Sequence, residues 1–194
     1  MKKRIAVFVS GTGSNFKAIL EKTEAGDINA EIVLVVSSNP TAGALSIAEN
    51  SQIKTHVINF KDKSKINSEY VIVSDLLTVL NIDYIVLAGY IKILPAFFVK
   101  KYLGRMINIH PSLIPKFSGV GYYGHKVHES VLAARENESG CTVHFVDEGV
   151  DTGEIIMQAI VPVFGDDTPD TLAARVLIEE HKILPLALKK LCAD

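Results

Sequence analysis

An amide and an imidazole two residues apart, with a carboxylate farther along the chain, are parts from which an acyl-transfer site can be built. Asn108 and His110 lie at the end of a strand-like run, Arg105 to Ile109, and are followed by Pro111-Ser112-Leu113-Ile114-Pro115. Side chains alternate along an extended segment, so residues two apart project from one face. Pro111 biases His110 away from helical backbone angles and holds the pair at the mouth of the strand. There the amide and the imidazole can stabilise a developing oxyanion, while a carboxylate such as Asp151 orients or charges the imidazole. Each residue also has a plainer reading. A strand-end histidine is commonly packed or solvated, and Asp151-Thr152-Gly153 suits a turn.

A second constellation is Gly11-Thr12-Gly13-Ser14-Asn15, between an apolar run and a helical pattern. Glycines let the backbone turn tightly, and the N–H groups that open a helix can bind an anion. A dinucleotide fingerprint would put a third small residue where Phe16 stands, and an acid at the end of the second strand, where the chain has Ser37-Ser38-Asn39. A Walker loop is absent. The loop is therefore an anion site or a tight turn without a ligand. His125 and His128 are one helical turn apart, a spacing that can bind metal. No cysteine or third clustered ligand accompanies them, so no metal site is expected. His56 and His144 fall in strand patterns and read as structural or supporting residues, and His181 reads as a packing or capping residue. Leu87 to Leu94 reads as an apolar strand end with one solvated lysine, stopped by Pro95.

Composition narrows the class. The 194 residues are 48% hydrophobic and 22% charged, as in an ordinary globular enzyme of one domain, 1–194. A net charge of −2 gives no broad pull toward nucleic acid or anionic lipid, so a phosphate-bearing substrate would need a local site. Cys141 and Cys192 form no CxxC or metal-ligand cluster, which suits a reducing cytoplasm. Met1-Lys2-Lys3-Arg4 imitates the front of a signal peptide, but the apolar run behind it stops at Ser10-Gly11, too short for an export signal. No apolar stretch reaches membrane-spanning length.

The elements that must position these residues alternate in the front half. Strand patterns at Ile5 to Val9, Glu31 to Ser37, Lys54 to Ile58 and Tyr84 to Ala88 are separated by helical patterns at Ser14 to Ala25, Gly43 to Asn50 and Asn67 to Leu80. Strands apolar on both faces argue for a parallel sheet wrapped by helices. In the back half, Cys141 to Asp147 and Glu154 to Val163 suit an antiparallel pair. Thr168-Pro169-Asp170 supplies a helix start, and Pro185 is expected to kink or break that helix. The expected fold is α/β and Rossmann-like: a mostly parallel sheet flanked by helices, with an antiparallel strand pair in the C-terminal half.

Asn108-x-His110-Pro111-Ser112-Leu113-x-Pro115, followed by Gly149-Val150-Asp151-Thr152-Gly153, strongly resembles the formyltetrahydrofolate-dependent formyltransferases. The resemblance runs from Val7 to His181. The central octad marks the wider group; the N-terminal loop, the C-terminal helix and the length resemble the members that formylate glycinamide ribonucleotide in purine synthesis. The resemblance implies that Asn108, His110 and Asp151 are catalytic, with Asn108 also touching the folate. It implies that Gly13, Ser14 and Asn15 hold the ribose phosphate of the acceptor, that Glu180 contacts the acceptor, and that Ile91, Lys92, Ile93 and Leu94 line the pterin slot, largely through backbone groups. Members of the group more often carry arginine at the Lys92 position and another near Ile66, where Lys63 or Lys65 are the cations at hand here. It implies 10-formyltetrahydrofolate as a consumed cosubstrate, no permanently bound cofactor, small-molecule partners rather than nucleic acid or membrane, and a cytoplasmic monomer or weak homodimer. Two rival readings remain. One keeps the chemistry with another acceptor: methionyl-tRNA, a sugar nucleotide or water. Relatives acting on tRNA or water carry an additional domain, for which 194 residues leave no room. The other is a nucleotide-binding module or nicotinamide-dependent oxidoreductase, which the missing third glycine and acid oppose.

Overall fold

Five strands, all but the edge strand β3 largely buried on both faces, form the parallel part of the sheet in the computed structural model, which describes residues 1–193. They are β1 (Lys3–Val9), β2 (Ala30–Ser37), β3 (Lys54–Val57), β4 (Tyr84–Leu87) and β5 (Met106–His110). Strands β6 (Glu138–Phe145) and β7 (Ile155–Pro162) complete the sheet, in the order β3-β2-β1-β4-β5-β6-β7. The first four pairings are parallel; β5 with β6 and β6 with β7 are antiparallel, as the sequence suggested. Strand β6 begins earlier than the expected Cys141, because Ser139 and Gly140 are buried and pair with Val161 and Ile160 of β7.

Helices cover both faces. Phe16 and Ile19 of α1 (Ser14–Glu24), with Leu172, Val176, Leu184 and Leu188 of α6 (Pro169–Leu191), pack in one core with Ile5, Val7, Ile107 and Val143. On the other face Tyr70, Val73 and Leu77 of α3 (Ile66–Val79) and Phe98 of α4 (Ala96–Lys101) meet Ala6, Phe8, Ile85 and Met106. The switch of partner between Val7 and Phe8 is the strand alternation read directly. Burying a side chain of this size contributes roughly 1.5–3 kcal/mol. Helices α2 (Gly43–Asn50) and α5 (His125–Ala133) complete the set. Neither α4 nor α5 was foreseen as a helix.

Thr168 caps α6, its side chain accepting from Thr171 N–H while Thr171 returns the bond, with Pro169 in the first turn. Pro185, expected to kink or break the helix, does not break it, and α6 runs through it to Leu191. Proline forfeits one helical hydrogen bond, but Pro185 is buried beside Leu184 and Leu188, and that packing offsets the loss. None of the described helices is long and apolar enough to cross a membrane.

The strand order reverses between β1 and β4. In open α/β sheets the crevice for a ligand lies outside the carboxyl ends of the strands at such a point. The segments that leave there are Ser10-Gly11 after β1, Gly89-Tyr90 after β4, and the Asn108–His110 end of β5.

Candidate active site

Those three strand ends open into one cleft of about 1000 Å³. Ser14 and Asn15 stand on one wall with Glu180 of α6, Ile91 and Ile93 on another, and Asn108, His110 and Asp151 between them. The chain thus gathers residues far apart in sequence, and most of those singled out above meet here. Gly13 lies under the wall as the residue capping α1, with a φ of 85°. A Cβ at Gly13 would stand 2.6 Å from the Cβ of Ala44, so α2 seats against the loop only because a glycine is there. Lys92 and Leu94 do not line the cleft: Lys92 Nζ lies 5.2 Å from the centre of the Phe60 ring, and Leu94 packs against the α3-side core. Lys63 and Lys65 form a short turn before α3, Lys65 reaching Asp62 at 3.5 Å, and neither lines the cleft.

At the centre, one carboxylate faces two imidazoles. Asp151 Oδ2 lies 3.4 Å from His110 Nδ1, and Oδ1 lies 3.6 Å from His144 Nε2. Gly119 N–H also donates to Asp151 Oδ2 at 3.0 Å. His110 Nε2 is 3.0 Å from the Phe117 carbonyl. A carbonyl only accepts, so both nitrogens of His110 face acceptors and the surroundings ask for a doubly protonated ring. Burial opposes this more strongly: it lowers the His110 pKa, which the Asp151 charge and the Phe117 carbonyl only partly restore. The balance disfavours the imidazolium. Asp151 balances differently. Burial pushes its carboxyl up, yet His144, His110 and the Gly119 N–H together bring it below the ordinary value.

His144 was read from sequence only as a structural or supporting residue, and the geometry gives it a defined place. Its Nδ1–H donates to the Phe145 carbonyl at 2.8 Å, and its Nε2 is 3.2 Å from Asn108 Nδ2. The same Nε2 faces Asp151 Oδ1, so His144 stands between Asn108 and Asp151. The signal was the β5–β6 register, which sets Asn108 opposite His144 and His110 opposite Thr142. Sequence alone did not fix that pairing.

Toward the α1 end, Asn15 Nδ2 donates to Glu180 Oε2 at 2.6 Å, and Asn15 Oδ1 is buried without a partner. Burial raises the Glu180 carboxyl above its usual range, and the Asn15 bond lowers it in part. On the remaining wall, His125 Nδ1 stands 3.5 Å from Asp170, and the His125 and His128 ring centres are 6.4 Å apart. Among the described residues no three His, Cys, Asp or Glu side chains gather in a way that could hold a metal. The end of β2 closes on itself, Ser37 Oγ donating to the Asn39 carbonyl at 2.8 Å, and offers no acid to a ribose.

Comparison with known proteins places the same residues in a family context. Residues 3–188 match the family described as formyl transferase. The chain is 42% identical over 196 residues to a chloroplastic phosphoribosylglycinamide formyltransferase of Vigna unguiculata, covering all of this chain and 62% of that protein. It is 41% identical to the phosphoribosylglycinamide formyltransferase of Haemophilus influenzae, covering 96% of this chain and 86% of that one. The crystal structure of phosphoribosylglycinamide formyltransferase from Brucella melitensis superposes with a TM-score of 0.90 at 43% identity, covering 100% of this chain and 97% of that one. The chain thus spans less than two thirds of its plant relative and most of its bacterial ones.

Proposed function

This chain belongs to the formyl transferase family, and from that premise we propose that it transfers the formyl group of 10-formyltetrahydrofolate to the amine of glycinamide ribonucleotide, in purine synthesis. One observation carries the reading. A single cleft holds Asn108, His110 and Asp151 at its centre and the opening of α1, with Asn15 and Glu180, at one end. The first set suits acyl transfer, and the second suits a phosphorylated, hydroxyl-bearing acceptor. The reading takes residues 1–194 as one catalytic domain, a cytoplasmic monomer or weak homodimer, with Gly13, Ser14 and Asn15 on the phosphate, and the Ile91–Leu94 segment on the pterin through Ile91 and Ile93, which line the cleft.

The reading implies an order of proton movements. The Phe117 carbonyl leaves His110 Nε2 as the formyl donor enters, and Nδ1–H turns to Asp151. The neutral amine attacks the formyl carbon, and Nε2 takes the proton it sheds. The oxyanion then meets the new imidazolium and the side-chain amide of Asn108, which His144 flanks. The proton passes on to N10 of the folate as the carbon–nitrogen bond breaks, so the amine proton ends on tetrahydrofolate. Formyl folate is consumed in each turnover, and the reading assigns no permanently bound cofactor.

The test is an assay of formyl-folate consumption with a panel of acceptors. Glycinamide ribonucleotide should react at least about tenfold faster than its dephosphorylated analogue, because the phosphate anchors at the α1 N-terminus. Equal rates for the two would reject that role for the loop, and preference for methionyl-tRNA or water would reject the acceptor.

A further inference from the structure

Ser10 ties the two sides of the cleft together. It follows β1 and directly precedes the loop that opens α1, and only 8% of its surface is exposed. Its Oγ accepts the Ile91 N–H at 3.0 Å across 81 residues of sequence, and lies 2.6 Å from the equally buried Ser38 Oγ. The Ser10 carbonyl is 3.4 Å from Asn39 Nδ2. Side chains anchor the partner segment, Tyr90 standing edge-on to Phe8 with its hydroxyl 2.8 Å from that of Tyr70, but its backbone is held at one point. Gly89 to Leu94 has no regular secondary structure, and among the described residues the bond from Ile91 to Ser10 is the one hydrogen bond its backbone makes.

We propose that the Ser10 hydroxyl is a positioning group for the formyl-donor side of the cleft: it sets the Ile91 backbone at a fixed height relative to the Gly11–Asn15 loop, and Ser38 holds the hydroxyl in line. This rests on the reading that Ile91 and Ile93 wall the folate slot. The Ile91 N–H is already spent on Ser10, so Ile91 offers the folate its carbonyl and side chain. Without the hydroxyl, water can serve the N–H in the open cleft. Once a folate covers the slot that water is expelled, and the N–H is left unpaired. The penalty therefore falls on folate binding rather than on the fold.

Ser10→Thr and Ser10→Val are nearly the same shape and differ in the hydroxyl, so their comparison isolates it. Titrated with an unreactive folate analogue, the valine variant should bind about tenfold more weakly than the threonine variant. The KM for the acceptor and the kcat of the two should agree within about twofold. Equal folate affinity in both overturns the proposal, as does an equal loss of acceptor affinity, which would mean general damage to the loop. If the added methyl prevents folding, Ser10→Ala against the unaltered protein carries the same comparison. Ile93→Asp separates this idea from the slot it depends on. Unchanged folate binding in that variant moves the slot elsewhere, whereas a severe loss there, with threonine and valine alike, rejects the role of Ser10 alone.

Discussion

Asp151 divides one carboxylate between His110 and His144, and a substitution that removes charge without moving the backbone would isolate that function. Asp151 sits at a φ of 57°, in the left-handed region that asparagine enters more readily than most residues. Asp151→Asn therefore keeps both shape and backbone while abolishing the charge that favours the imidazolium. Steady-state kinetics should show kcat falling on the order of a hundredfold, with the acceptor KM changed much less. His110→Ala should be similarly disabling, and the double variant should lose far less than the product of the two single losses, as for residues that act as a unit. Fully multiplicative losses would mean the two act independently. Near-normal turnover in Asp151→Asn would return the residue to a turn former.

How much of this was legible before folding differs from element to element. Most of the parallel strands could be read because strands buried on both faces are largely apolar, as β1 and β4 are and the edge strand β3 is not, and the antiparallel pair because its two runs are separated by a short polar segment. Helix α5 begins directly after Gly124, and α4 offers only Ala96–Lys101, too short for a helical period to show. Pro185 does not end α6, since its cost depends on packing that sequence does not display. Of the candidate residues, Asn108 and His110 share a face by alternation alone. Their meeting with Asp151, Asn15 and Glu180 requires the strand order, and the place of His144 requires a register. Gly13 shows an element-level requirement that the sequence only hinted at. Gly13→Ala would impose a side chain at φ 85° and drive its Cβ to within 2.6 Å of Ala44 Cβ, whereas a Cβ at Gly11 meets nothing within 4 Å. Chemical denaturation should find Gly13→Ala destabilised by roughly 1–3 kcal/mol, with a raised KM for the acceptor, and Gly11→Ala within about 0.5 kcal/mol of the parent. Equal stability of the two variants would mean that α2 yields freely and that the close approach is not required.

The same burial that builds the cleft makes the folded chain resist protons at three of its histidines. Burial lowers the pKa of His110, His128 and His181, and for His128, 4% exposed, burial and the nearby charges of His125 and His110 bring it from 6.5 to about 4. Between those two values the unfolded chain takes up a proton at His128 that the folded chain refuses. Its contribution to stability is thus complete above pH 6.5 and is lost as the pH falls toward 4. Asp151 acts in a lower window, its stabilisation being lost only as the pH falls below its ordinary value of 3.8. Glu180 acts with the opposite sign. Its raised pKa lets the folded state bind a proton above 4.5, so it gains stability where the histidines lose it. A bare pH profile would mix these effects, and the difference between two proteins removes those they share. His128→Gln replaces the ring by a neutral amide that does not titrate. Urea unfolding of both proteins from pH 7.5 to 4.5 should show the parent losing about 2–3 kcal/mol more than the variant, nearly all of it below pH 6.5. A difference that stays flat with pH would place a proton on His128 in the folded state, and with it a positive charge on the cleft wall beside His110.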